Sequence, residues 1–178
     1  MIRAGEATAK RRVTRTFLFT DIVGSTNLLE TIGDEAWEDV LRWHDETLRS
    51  AIESHGGEIV HPTGDGYFAT FEDAGSAATS AVAIQQRLAE HRRKHGFAPQ
   101  VRIGMHAAEA TVIADDYAGL VHQAARVGAL AEAGEIVVTC ETLEREPIGL
   151  SVNQERVVSL KGIAQPVRVA TIDWRTER

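Results

Sequence analysis

Two aspartates set in short glycine-bearing phrases could do chemistry in this chain. Asp21 lies in Phe19-Thr20-Asp21-Ile22-Val23-Gly24-Ser25-Thr26, and Asp65 lies in Thr63-Gly64-Asp65-Gly66-Tyr67-Phe68. Each follows or sits beside a run that reads as a β-strand, among glycines and hydroxyl residues rather than charged neighbours. Taken singly, Asp21 reads first as a helix cap or turn residue and Asp65 as part of a common hairpin turn. Together they read as hard oxygen ligands of the kind that hold Mg²⁺ or Mn²⁺ over a polyphosphate. Two like charges at neighbouring strand ends are unfavourable unless a cation sits between them. Gly24, Ser25 and Thr26 then open a helix whose free N–H groups suit phosphate oxygens. The pattern points to a triphosphate–metal site.

Such a site needs elements that bring the two phrases together. Residues 13–20 read as a strand that becomes wholly apolar toward its end. Across residues 26–54, Leu28, Leu29, Ile32, Trp37, Val40, Leu41, Leu48 and Ile52 recur at helical steps. Gly33-Asp34 divides that stretch, with Asp34 expected to cap the longer second helix. Residues 58–61 and 66–71 read as a hairpin around Pro62-Thr63-Gly64-Asp65. Asp73 caps a helix that runs to about residue 95. Residues 100–107 form a strand, 120–130 an Ala-rich helix, and 135–139, 150–160 and 167–172 the closing strands. Strands and helices that alternate around a hairpin suit an α+β sandwich better than a doubly wound sheet.

Composition fits that picture. The chain has 178 residues, enough for one domain with a proper core, and its 43% hydrophobic and 25% charged residues are ordinary for a globular protein. A formal net charge of −7 argues against a dedicated nucleic-acid binder. One cysteine, Cys140, excludes an intramolecular disulfide and suits a reducing compartment. No apolar run is long enough to span a bilayer. A cytoplasmic location is expected. Residues 1–13 read as a flexible basic lead-in or linker, 14–174 as the domain and 175–178 as a tail.

Over nearly its whole length the chain resembles the catalytic domain of class III nucleotide cyclases. The likeness is carried by F-T-D-I-V-G-S-T at 19–26, H-P-T-G-D-G-Y-F-A-T-F at 61–71 and V-R-I-G-M-H at 101–106. It continues through D-Y-A-G-L-V-H-Q-A-A-R at 116–126, G-E-I-V-V-T at 134–139 and L-K-G at 160–162, in the family's order. The resemblance implies a ferredoxin-like α+β domain that works as a head-to-tail homodimer with active sites at the interface. It also implies two divalent ions per site, Mg²⁺ or Mn²⁺, held by Asp21 and Asp65 with the Ile22 carbonyl assisting. They would serve attack of a ribose 3′-hydroxyl on the α-phosphorus, yielding a 3′,5′-cyclic monophosphate and pyrophosphate. By the same likeness Arg126 is the transition-state arginine and Lys161 contacts the terminal phosphates.

The base and ribose end departs from the family. His61 stands where the base-selecting lysine is usual, and His122 stands where the ribose-orienting asparagine is usual. The stretch from Gly119 to His122 is one residue shorter than the family's D-x-x-G-x-x-V-N. That leaves both Asp115 and Asp116 open as the base-contacting aspartate, with Asp116 preferred by motif. The expected function is a metal-dependent cyclase acting on a nucleoside triphosphate, ATP ahead of the others. The alternative is a degenerate cyclase-like module that binds nucleotide or a partner and serves regulation. A pairing with a different chain that supplies the usual base and ribose residues is a further option.

Overall fold

The computed structural model describes residues 11–113, 116–117 and 121–175. Strand β1 (Arg11–Ile22) runs into Gly24, whose φ of 69° turns the backbone straight into the short helix α1 (Ser25–Ile32). Gly33 separates α1 from the long helix α2 (Asp34–Ser54). Gly33 is itself the cap, so Asp34 is the first helical residue rather than the cap expected from sequence. Its carboxylate, with that of Glu35, still lies where the helix dipole favours negative charge.

A hairpin of β2 (Glu58–Pro62) and β3 (Tyr67–Phe71) follows, then α3 (Ala74–His95). Asp73 caps α3 as expected, accepting from the Ser76 N–H at 2.7 Å and from the Ser76 hydroxyl at 2.7 Å. Strand β4 (Val101–Ile113) is longer than the sequence pattern suggested. Beyond Ala107 it pairs with the start of β1, from Ala108↔Arg15 to Val112↔Arg11. The remaining elements are β5 (Asp116–Tyr117), α4 (Val121–Ala129), β6 (Ile136–Thr139), α5 (Cys140–Arg145), β7 (Val152–Val158) and β8 (Val167–Ile172). Neither β5 nor α5 was expected, because two and six residues carry too little periodicity to read.

The strands form one mixed sheet in the order β2-β3-β1-β4-β6-β8-β7, with β5 paired to β4. Only β4–β6 is parallel within that order. Helices α2 and α3 cover one face, where Leu18, Ile22, Leu48, Ile52, Ile84, Leu88, Ile103 and Met105 build the main core. Helix α4 covers the other face over two smaller clusters, Phe17 with Phe68, Tyr117 and Ala124, and Val127 with Val137, Leu160 and Val169. Alternation along β1 sends Leu18 and Ile22 to the first face and Phe17 to the second, which puts Asp21 on the α4 side. This is the ferredoxin-like α+β sandwich the sequence implied.

Candidate active site

Asp21 and Asp65 are brought together by backbone fit. β1 pairs with β3 in the register Phe19↔Phe68, which sets Asp21 beside the hairpin turn. The Thr20 hydroxyl accepts a hydrogen bond from the buried Tyr67 N–H at 2.9 Å. A Cβ on Gly66 would collide with the Thr20 carbonyl, so only glycine lets the turn lie this close to β1. The next residue back is Asp65, whose carboxylate reaches that of Asp21.

The cation beside this pair, in the protein alone, is Arg102. It faces Asp21 across β1 and β4 in register, and its Nε and Nη2 both donate to Asp21 Oδ2, at 2.8 and 2.6 Å. Burial raises the Asp21 carboxyl above its ordinary range, the Arg102 hydrogen bonds oppose that shift, and the neighbouring Asp65 carboxylate raises it further. The Asp21 side chain keeps 22% of its surface exposed, so an ion can still reach it. Within V-R-I-G-M-H, Arg102 shows no role from local sequence. The signal was the strand alternation that puts Arg102, like Asp21, on the α4 face, but seeing the two meet needs the β1–β4 register.

Ile22, 3% exposed, is buried in the core beside Asp21 and anchors the strand end. Gly24, Ser25 and Thr26 form the start of α1, and no side chain caps its first N–H groups. That leaves the donors available, as expected for anion contact. Among the described residues no group of three or more His, Cys, Asp or Glu gathers as a metal cage. The two carboxylates instead make an open, hard-oxygen pair, the kind that takes Mg²⁺ or Mn²⁺ with water and phosphate completing the shell.

A second group forms around α4. Helix and strand touch where Gly128 lies on Gly104, and a Cβ on Gly104 would strike the Gly128 backbone. The Arg126 guanidinium rests over Gly162, with both terminal nitrogens 3.2 Å from where a Cβ there would stand. Arg126 and the Leu160-Lys161-Gly162 turn are therefore neighbours. Among the described residues Arg126 and Lys161 make no ion pair. The charged groups acting on Asp21 are Arg102 and Asp65, not Arg126. One chain thus carries an acidic group on β1 and the hairpin turn, and a basic group on α4 and the 160–162 turn.

His61 is half-buried on β2, apart from both groups. Its ring stacks on Phe68 at 5.3 Å between centroids, and Phe68 stacks on Phe17 at 5.5 Å. Nδ1 lies 3.1 Å from the Pro62 carbonyl. A carbonyl only accepts, so Nδ1 carries the proton in the neutral ring and Nε2 is left as an acceptor. Asp115 lies outside the described residues. Asp116 forms half of β5 and His122 stands in the first turn of α4, and the side chains of both lie outside the described set. Tyr117, next to Asp116, packs edge-on to Phe17 at 5.4 Å.

Other candidates are structural. Buried His106 shares a hydrogen bond with the Thr139 hydroxyl at 3.0 Å. Burial pushes the Cys140 thiol up to about 11, so it stays protonated and unreactive. Arg92, Arg93, Lys94 and His95 lie in the last turn of α3, where cations favour the dipole. No described helix is long and apolar enough to cross a membrane.

The fold has known counterparts. A structure of adenylate cyclases from Trypanosoma brucei in their monomeric state superposes with a TM-score of 0.81 at 21% identity, covering 90% of each chain. An adenylate/guanylate cyclase/hydrolase from Silicibacter pomeroyi does so at 0.76 and 27% identity, covering 91% of this chain and 97% of that one. An adenylate cyclase of Podospora anserina is 30% identical over 150 residues, 70% of this chain but 7% of the relative. An uncharacterized protein of Rhizobium meliloti is 28% identical over 98% of this chain and 18% of the relative. The chain therefore spans less than a fifth of the length of these two curated relatives. A family model matches residues 7–171, and the chain belongs to the adenylate and guanylate cyclase catalytic domain family.

Proposed function

We propose that this domain is a nucleotidyl cyclase that converts a nucleoside triphosphate, ATP first, into its 3′,5′-cyclic monophosphate and pyrophosphate. The observation that carries the proposal is the Asp21–Asp65 carboxylate pair, built by the Gly66–Thr20 fit and balanced by Arg102. Asp21 and Asp65, with the Ile22 carbonyl, would hold two Mg²⁺ or Mn²⁺ ions, which when bound neutralise phosphate charge and acidify the attacking hydroxyl.

The chain's own residues divide the remaining work. Arg102, which donates to Asp21 in the protein alone, would have its donor fork free for phosphate oxygens were a metal ion to take its place. The uncapped start of α1 at Gly24, Ser25 and Thr26 suits the same oxygens. Arg126 meets the charge that builds as the 3′-oxygen bonds to the α-phosphorus and the bond to the β-phosphate oxygen breaks. The hydroxyl proton leaves to solvent, and Lys161 holds the departing pyrophosphate. The counter-ion of Asp21 is Arg102 rather than Arg126, which supports a homodimer that draws the acidic half from one copy and the basic half from the other, with two sites at the interface.

His61 bears on the base. Its free Nε2 accepts, which suits the exocyclic amine of adenine or cytosine and disfavours the carbonyl that guanine or uracil presents there. Asp116 is an acceptor too, and His122 orients the ribose. The test is an assay with Mn²⁺ or Mg²⁺ and each of ATP, GTP, CTP and UTP, reading cyclic products by mass spectrometry with Asp65→Ala as control. A cyclic product lost in the control supports the enzyme. No product from a folded dimer makes the domain a regulatory nucleotide-binding module instead.

A further inference from the structure

His44 is a buried ionisable group that the chemistry above leaves unused. It projects from α2 with 3% of its surface exposed, beneath the turn that carries Asp65. Neither ring nitrogen has a hydrogen-bond partner within geometric reach. The polar group facing the ring is the backbone carbonyl of Asp65, with the Asp45 carboxylate acting from a greater distance. Helix and turn are separated by a cavity of about 340 Å³ lined by His44, Asp45, Pro62, Gly64, Asp65 and Tyr67. An imidazole carries at least one N–H to donate in either protonation state. Buried polar groups in folded proteins are almost always satisfied, and an orphaned imidazole is unfavourable. The Asp65 carbonyl is the acceptor that would satisfy it, and the cavity gives the turn room to settle toward the helix.

We propose that His44 is a positioning residue for Asp65, holding the turn from behind through a ring N–H donated to the Asp65 backbone carbonyl when the acidic pair binds its cation. The inference rests on the reading of Asp21 and Asp65 as divalent-ion ligands. It makes α2 a rigid support for a ligand that otherwise stands on a four-residue glycine-flanked turn. Loading the pair and satisfying His44 are then one event. The orphaned ring of the free protein is a reserve of stabilisation released on binding.

The test is Mn²⁺ binding, read from the free-ion electron paramagnetic resonance signal, for the wild type, His44→Phe, His44→Gln and Asp65→Ala. The expected result is a loss of about tenfold in affinity for His44→Phe, equivalent to about 1.4 kcal/mol. His44→Gln, which keeps an N–H donor, should remain within about twofold of wild type. In wild type, a His44 ring N–H resonance slowed in solvent exchange on adding Mg²⁺ gives the same answer without a variant, should His44→Phe fail to fold. Equal affinities across wild type and both His44 variants overturn the proposal, as does an unchanged ring resonance. Equal loss in His44→Phe and His44→Gln also overturns it, since that marks packing rather than the hydrogen bond. Wild-type binding no tighter than Asp65→Ala refutes the metal reading itself, and the inference falls with it.

Discussion

The acidic and basic halves of the site are built by opposite strategies. Asp21 and Asp65 are fixed by backbone pairing, a glycine contact and an internal counter-ion, so their charge is balanced inside one chain. Arg126 and Lys161 are placed by a helix lying on the sheet and by an exposed turn, with no carboxylate opposite either among the described residues. Concentrated negative charge needs a cation at all times, and Arg102 provides it before any ion arrives. Isolated surface cations are well solvated and need no partner. The difference teaches where precision is stored: in the half whose like charges stand close together.

The largest effect should come from breaking each half separately. Asp65→Ala and Arg126→Ala should each lower turnover by at least about 10³-fold, for lost ion binding and lost charge stabilisation respectively. Mixing the two inactive proteins in equal amounts should then recover roughly a quarter of wild-type activity, because random pairing makes half the dimers mixed, each with one intact site. Recovery of nothing, with mixed dimers demonstrated, would mean that the two halves act within one chain.

Next in size is the contact that sets the acidic spacing. Gly66→Ala forces a Cβ against the Thr20 carbonyl, and the backbone must move. We expect a loss of about 1–3 kcal/mol in stability by denaturant titration. Activity should fall further than that loss explains, because Asp65 moves with the turn. A fully active Gly66→Ala protein would show that the close approach does not set the ligands. The basic half has a matching close approach at Gly104 and Gly128, but it fixes a helix position rather than a ligand spacing.

Arg102 tests the internal counter-ion. In metal-free protein, Arg102→Gln should cost about 1–2 kcal/mol, since the pair is partly exposed and its hydrogen bonds are charge-assisted. Added Mn²⁺ should raise the melting temperature of the variant more than that of wild type, as the ion replaces the missing charge. Removing the guanidinium also sharpens the pH response. The Asp21 carboxyl already sits above its ordinary value through burial and Asp65, and without Arg102 it rises further. A raised carboxyl binds protons more tightly in the folded state, so ion-free stability falls as pH rises through the window between unfolded and folded values. That fall should be steeper in Arg102→Gln, measured by melting temperature against pH.

The same contrast explains what the sequence made legible. The aspartates, the hairpin and the start of α1 are local phrases whose residue types announce their geometry, and they stand where they were expected. Arg102 could not be assigned, because its meaning depends on a register between strands some eighty residues apart. His44 was equally hidden: on α2 it is one polar residue amid an amphipathic pattern, and only the packing of hairpin on helix reveals it. Asp34 was misplaced because a glycine took the cap that propensity gives to aspartate. The roles of Arg126 and Lys161 come from family likeness alone, and their neighbourhood was not legible, since nothing in local spacing joins a helix to a turn far along the chain.

The smallest effect lies outside both halves and calibrates them. Asp73 caps α3 on the face away from α4, and the Ser76 N–H, then the Ser76 hydroxyl, hold its carboxyl below the ordinary value of 3.8. A depressed carboxyl contributes stability that is full above the unfolded value and is lost as pH falls through the folded one. Asp73→Ala should therefore cost about 1 kcal/mol at neutral pH, with turnover unchanged once folded. The gap between variant and wild type should close as pH falls below 3.8 and through the lowered value. A gap that persists in acid would assign the loss to packing around Ala74 rather than to the charged cap. Activity that falls with Asp73→Ala would mean that α3 couples to the acidic half through the shared core, and that its precision extends beyond the strand ends.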